Sequence, residues 1–191
     1  MDATDFVSQF FRALDAVPYP SDPYEDNQWT EFIGKTMDAV ADSFDCRLAR
    51  RRPASAGPGE SGEHLGIDHT FFSGRDAKRL NFNRYGRDPL ALPSAVVESE
   101  NGYDIDRISY CLWKTTCLRA PLKVLVCYQK GTKKVEQLQK HLEDVLREGL
   151  LADKGSGQVL VIIGDDSLPE AITWKQYFGA FLWEGDSLKT L

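Results

Sequence analysis

The chain has 191 residues, 42% hydrophobic and 27% charged, with a formal net charge of −6 at pH 7. Length and composition describe one globular domain with a proper core, and no apolar run approaches the about 20 residues of a membrane helix. The acidic balance argues against indiscriminate nucleic-acid affinity, and the four cysteines, Cys46, Cys111, Cys117 and Cys127, form no Cys-x-x-Cys pair. We therefore expect reduced thiols in a cytoplasmic chain, with no structural zinc.

The opening "MDATDFVSQFFRALDAV" is acidic and amphipathic, the wrong character for a signal peptide. Gln28 to Phe44 reads as a helix, because Trp29, Phe32, Ile33, Met37, Val40, Ala41 and Phe44 fall on one stripe at 3.6-residue spacing. Glu31 projects opposite that stripe, toward solvent. A short strand follows near Cys46 to Arg51. The patch "PASAGPGESGE" (Pro53 to Glu63) reads as a loop. A second strand is expected around His64 to Phe72, and a third at Ala95 to Glu100 after a long connector.

Asp104 to Leu118 is a second amphipathic helix with Ile105, Ile108, Leu112 and Thr115 on its inner side. "LKVLVCYQ" (Leu122 to Gln129) and "GQVLVIIGD" (Gly157 to Asp165) are buried strands, separated by a charged helix over Thr132 to Glu148. "FGAFLWEG" (Phe178 to Gly185) is expected as the last strand. This order implies one α/β domain over residues 1–191, a mixed sheet with helices on both faces.

Charge is unevenly spread. Residues 46–87 carry +5 and the remainder −11. Within the 73–93 connector, Arg75, Lys78, Arg79, Arg84 and Arg87 are interleaved with Phe82 and Tyr85. Basic groups neutralise phosphates and aromatics stack on unpaired bases, so this segment is a candidate nucleic-acid contact.

The chemistry is sought among the acids. Glu98 and Glu100 follow the run Ala95-Val96-Val97 and share one strand face, with Cα atoms about 6–7 Å apart. Two like charges on a mostly buried strand repel and lose hydration, so something must compensate them. Asp68 is a charge among apolar neighbours thirty residues earlier, and pairing of its strand with the third would bring it beside Glu98. Magnesium commonly rests on one or two carboxylates with water and substrate phosphate. Asp68 with Glu98 supplies that set, and Glu100 would extend it.

The histidines offer less. His69 points to the strand face opposite Asp68, and His64 and His141 lack a metal-binding helical motif. The glycines of "GSGQVLVIIG" precede a strand rather than open a helix, which excludes a nucleotide loop. No Ser sits in a Gly-x-Ser-x-Gly setting.

An aspartate in "GIDHTFF", then Glu-x-Glu in "VVESEN", within the order αβββαβ, resembles the PD-(D/E)xK nuclease superfamily over roughly residues 28–165. The resemblance implies a restriction-endonuclease-like fold and Mg²⁺-dependent endonuclease cleavage of phosphodiester bonds, with DNA as substrate and Mn²⁺ as a substitute metal. It implies Asp68, Glu98 and Glu100 as metal ligands. Ile67 stands where the family usually has proline, and Glu100 where it usually has lysine. Some members carry Glu-x-Glu, and others relocate the lysine to the following helix.

Lys114 is the candidate for that relocation. If the helix runs back antiparallel to the strand, ten residues carry it about 15 Å, level with the Glu98 end. Lys114 shares a side with Arg107 at the flank of the apolar stripe, where its stem can reach inward while adding little packing. Sequence specificity would then need the connector, a homodimer or a partner protein. Two other readings stay open. One is a nuclease-fold DNA-binding module that no longer cleaves, and the other is an adaptor pairing partners along the edge of "FGAFLW".

Overall fold

The computed structural model describes residues 1–21, 25–50, 66–73, 92–150, 157–168 and 173–191. The connector residues Arg75, Lys78, Arg79, Arg84 and Arg87, with Phe82, Tyr85 and His64, lie outside this set. So does the Pro53 to Glu63 patch.

Five helices and seven strands are present among the described residues: α1 (Ala3–Ala16), α2 (Asp26–Ser43), β1 (Cys46–Arg50), β2 (His69–Ser73), β3 (Ala95–Glu100), α3 (Ile105–Thr116), β4 (Leu122–Gln129), α4 (Thr132–Leu150), β5 (Gln158–Asp165), α5 (Trp174–Tyr177), β6 (Phe178–Glu184) and β7 (Ser187–Thr190). The strands form one mixed sheet whose order follows the chain, β1 to β7. The central pairs β3–β4 and β4–β5 are parallel, and the outer pairs on both sides are antiparallel. Parallel neighbours need a crossover, which α3 and α4 provide.

Side chains alternate along each strand, so the sheet divides the core in two. One face buries Val97, Val124, Val126, Leu160 and Ile162 against Phe6, Phe10, Trp29, Ile33 and Met37 of α1 and α2. The opposite face buries Leu125, Cys127, Val161 and Ile163 against Ile108, Leu112, Leu138 and Leu142 of α3 and α4. The stripe expected on α2 is its buried face. At its back, Glu31 sits 3.6 Å from Arg50 and 3.8 Å from Lys35. Arg50 also grips Asp38 through two bonds of 3.1 and 2.8 Å, laid across Gly34, where a Cβ would come within 2.7 Å of the guanidinium. That close approach joins β1 to α2.

Three expectations need correction. β2 runs from His69, and Asp68, expected inside the strand, stands in a bend just before it. Ile105 is exposed, because the buried stripe of α3 is centred on Ile108, Cys111, Leu112 and Thr115. β6 is not the last strand, since β7 pairs with it and occupies its outer edge. The "FGAFLW" edge is therefore closed to a partner strand.

His69 pairs across the ladder with Arg50 and is buried. Burial, with Arg50 adding to it, pushes its pKa down to about 3. An unfolded histidine titrates near about 6.5, so the unfolded chain takes up the proton first and stability falls as pH drops between these values. The expected loss approaches about 1.4 kcal/mol per pH unit from this one group. Denaturant titrations across that window should show His69→Leu flattening the slope by one proton. An unchanged slope would assign the acid sensitivity to other groups.

Candidate active site

The candidate site lies where β2 and β3 stop pairing. Their ladder ends with His69 opposite Val97, and the chain before it turns through Gly66, whose φ of +69° lies in the left-handed region that glycine tolerates. Side chains take over from the ladder at this point. The Asp68 Oδ2 accepts the Ser99 amide at 3.0 Å, and the Asp68 amide donates to Glu98 Oε1 at 3.1 Å. A short aspartate bonding backbone in this way competes with strand geometry, which is why the chain bends at Asp68.

Glu98 is only 2% exposed. Its second oxygen, Oε2, lies 2.7 Å from Lys114 Nζ, and the same ammonium donates to the Gly66 carbonyl at 2.9 Å. Two turns earlier on α3, Arg107 Nε is 3.4 Å from Glu100 Oε2, while Glu100 Oε1 accepts the Gly102 amide at 2.8 Å. The later helix residue meets the earlier strand residue, so α3 runs back antiparallel over β3. Asp68, Glu98 and Lys114 come together from three elements. Glu100 shares their sheet face but is committed to Arg107 and Gly102.

The start of α3 is secured from two sides. The Asp104 side chain caps it by accepting the Asp106 and Arg107 amides. Buried Gln129, ending β4, donates to the Tyr103 carbonyl at 3.0 Å, and the Tyr103 hydroxyl donates to Asp166 at 2.6 Å. Asp166 also accepts the Tyr177 hydroxyl. These bonds set the axial position of α3, and with it the height of Lys114 over β3.

Burial first, and then the Asp68 charge, push the Glu98 carboxyl above its ordinary range, against the pull of Lys114 and the Asp68 amide. Burial draws the Lys114 pKa down, but Glu98 and then Asp68 outweigh it and the net shift is upward. Lys114 is therefore an ammonium at neutral pH, able to donate and to stabilise negative charge but not to act as a base. The Cys111 thiol, pushed up to about 12 by burial and by Glu98 and Glu100, stays protonated beside Glu98. It is not a nucleophile, since the thiolate is the reactive form.

Among the described residues, no group of three or more His, Cys, Asp or Glu side chains could hold a metal ion. A divalent cation at this site would rest on Asp68 and Glu98, completed by water and substrate oxygens, a set that magnesium accepts. Among the described residues the donor chemistry fits, with two neighbouring carboxylates supplying hard oxygens beside Lys114. His69 is buried in the sheet, and His141 Nε2 is 2.9 Å from the Ser109 hydroxyl, on the far flank of α3.

Cys111 and the Gly66 carbonyl escape a reading of the sequence alone. The thiol had a signal, because Arg107, Cys111 and Lys114 are spaced i, i+4, i+7 and share one helix side. The carbonyl had none.

A carboxyl whose pKa rises on folding keeps its proton in the native state after the unfolded chain has lost it. Stability therefore falls as pH rises from the ordinary carboxyl value through the raised one. Lys114→Met would remove the cation that offsets this, so its stability deficit should grow as pH rises above the ordinary carboxyl value of about 4.3. At neutral pH we expect a loss of about 1–3 kcal/mol, less than for a fully buried pair because Lys114 is 26% exposed. Glu98→Gln in the same chain should recover much of it. A deficit independent of pH, or no recovery, would show that the pair is not coupled.

No family model matches the chain and no curated protein matches it, so the chemistry of the site is argued from its own geometry.

Proposed function

We propose that the chain is a metal-dependent nuclease hydrolysing phosphodiester bonds of DNA at the Asp68–Glu98–Lys114 cluster. The observation that supports this most is the reach of Lys114 from α3 to within 2.7 Å of Glu98 Oε2, beside Asp68. Two carboxylates and one lysine are the functional set of the PD-(D/E)xK pattern. Here the lysine comes from the helix, and glutamate holds its strand position.

Asp68 and Glu98 would hold Mg²⁺ or Mn²⁺, which when bound supplies Lewis-acid polarisation of a phosphate and a more acidic bound water. Lys114 contributes a fixed positive charge. Glu98 and the Gly66 carbonyl orient its ammonium, so the charge is preorganised rather than recruited from solvent. Glu100 holds Arg107, whose side chain is 70% exposed and free to meet a phosphate of the bound strand. The connector residues Arg75, Lys78, Arg79, Arg84 and Arg87 would add phosphate neutralisation without sequence readout.

A second reading, a nuclease-fold DNA-binding module that no longer cleaves, is favoured by one feature. Both Glu98 oxygens already accept hydrogen bonds from the protein. Single-turnover cleavage decides between the two. Lys114→Ala should cut the rate about 10²-fold or more while binding Mn²⁺ in calorimetry at least as tightly, because a competing cation is gone. Glu98→Ala should neither cleave nor bind the metal well. Wild-type rates in Lys114→Ala would remove that residue from the mechanism. A wild-type chain inert with both Mg²⁺ and Mn²⁺ would leave the non-catalytic reading.

A further inference from the structure

The outer side of α3 is unlike an ordinary solvated helix face. Its buried stripe is complete without Tyr110 and Trp113, yet these two large aromatics stand on the opposite side, 58% and 52% exposed. Their ring centroids are 5.8 Å apart at an interplanar angle of 30°. Exposed aromatics contribute little to folding, and most other aromatic rings among the described residues pack into or against the core, Tyr19 and Tyr103 being the other exposed ones. The pair is also placed next to the candidate site, because Lys114 Nζ lies 6.0 Å from the Tyr110 ring centre.

We propose that Tyr110 and Trp113 form a stacking platform for an unpaired nucleobase of the strand whose phosphate is bound at Lys114. The inference rests on the phosphodiester reading above and names its substrate class, a nucleic acid single-stranded at the point of cleavage. Within a duplex the base faces are already stacked on one another, so exposed rings gain most from a base that is free. Stacking is also tolerant of base identity, so it would add affinity without sequence readout.

Charge supports the same occupant. Lys114 and Arg107 flank the rings on one side of the helix and would take the phosphates, and Asp106 bounds the platform a turn below. An anionic backbone would therefore lie along the Lys114 flank, with the base turned outward onto the rings.

The test measures binding of fluorescein-labelled oligonucleotides as single-stranded DNA, single-stranded RNA and DNA duplex, with chelator present so that nothing is cut. Cleavage of the same three is then assayed with Mn²⁺. The wild type should bind a single strand more tightly than the duplex, with quenching of Trp113 fluorescence that Trp113→Phe removes. Tyr110→Ala with Trp113→Ala should weaken single-strand binding at least about tenfold and leave duplex binding little changed. Tyr110→Phe with Trp113→Phe, which keeps the π faces, should restore most of it. Both residues are exposed, so circular dichroism should report an intact fold in every variant.

The DNA and RNA arms show which sugar the site prefers, and preference for either single strand supports the platform. Equal or tighter binding of the duplex by the wild type would overturn it, as would unchanged single-strand binding in the alanine variant. Cleavage by that variant at wild-type rate and affinity would overturn the platform while the nuclease reading stands. Single-strand binding lost with the rings, in a wild type that cuts nothing, would uphold the platform and end the nuclease reading.

Discussion

A carboxylate withdrawn from water beside a second carboxylate is the constraint around which this end of the sheet is arranged. Glu98 could face the core only if both oxygens found donors, and the chain supplies them from separate places. One is a backbone amide at the bend before β2, and the other is an ammonium from the crossover helix. Each donor has its own requirement. The amide is available because Asp68 turns the chain out of the ladder, and the ammonium arrives because α3 doubles back over β3. The Glu98–Lys114 pair joins β3 to α3. Replacing such pairs by apolar groups is often neutral or stabilising, so stability alone does not account for keeping acids here.

α3 meets several demands on different sides of one three-turn helix. Ile108 and Leu112 fill the core beneath it, Arg107, Cys111 and Lys114 face the acids of β3, and Tyr110 and Trp113 meet solvent. Because these sets share a rigid rod, moving one moves all. The bonds that hold Tyr103 to the ends of β4 and β5 therefore matter at a distance, since a slip of one helical residue would shift Lys114 by about 1.5 Å along the sheet and rotate it away.

Periodicity made the central strands and α2 readable, because long apolar runs and a full 3.6-residue stripe leave few alternatives. The approach of Lys114 to Glu98 was readable too, from the helical wheel and an antiparallel return. The bend at Asp68 is disguised in the sequence by its strand-like neighbours Ile67 and His69. No hydrophobic pattern records a side chain bonding to backbone thirty-one residues away. Ile105 falls on the apolar spacing of α3 in the sequence, whereas in the structure Cys111 lies on the buried stripe and Ile105 is exposed. β7 is four residues long and owes its pairing to the free edge of β6, a tertiary circumstance that its own sequence does not carry. The carbonyl of Gly66 illustrates the general limit: a backbone acceptor has no residue type to betray it.

The sheet order has a consequence for how the molecule assembles. Every strand lies beside its neighbours in the chain, so pairing can proceed by short closures, each strand adding to the last at small entropic cost. α1 breaks that economy. Its Phe6 packs on Phe71 of β2 and its Phe10 on Phe178 of β6, while the Ala3 amide bonds Gln158 of β5. A helix that precedes the whole sheet in sequence thus spans it from one side to the other, and its seat does not exist until β6 is in place. Until then the apolar face of α1 and the sheet surface it covers would both be exposed. Exposed apolar surface of this kind is what makes partly folded chains prone to aggregate.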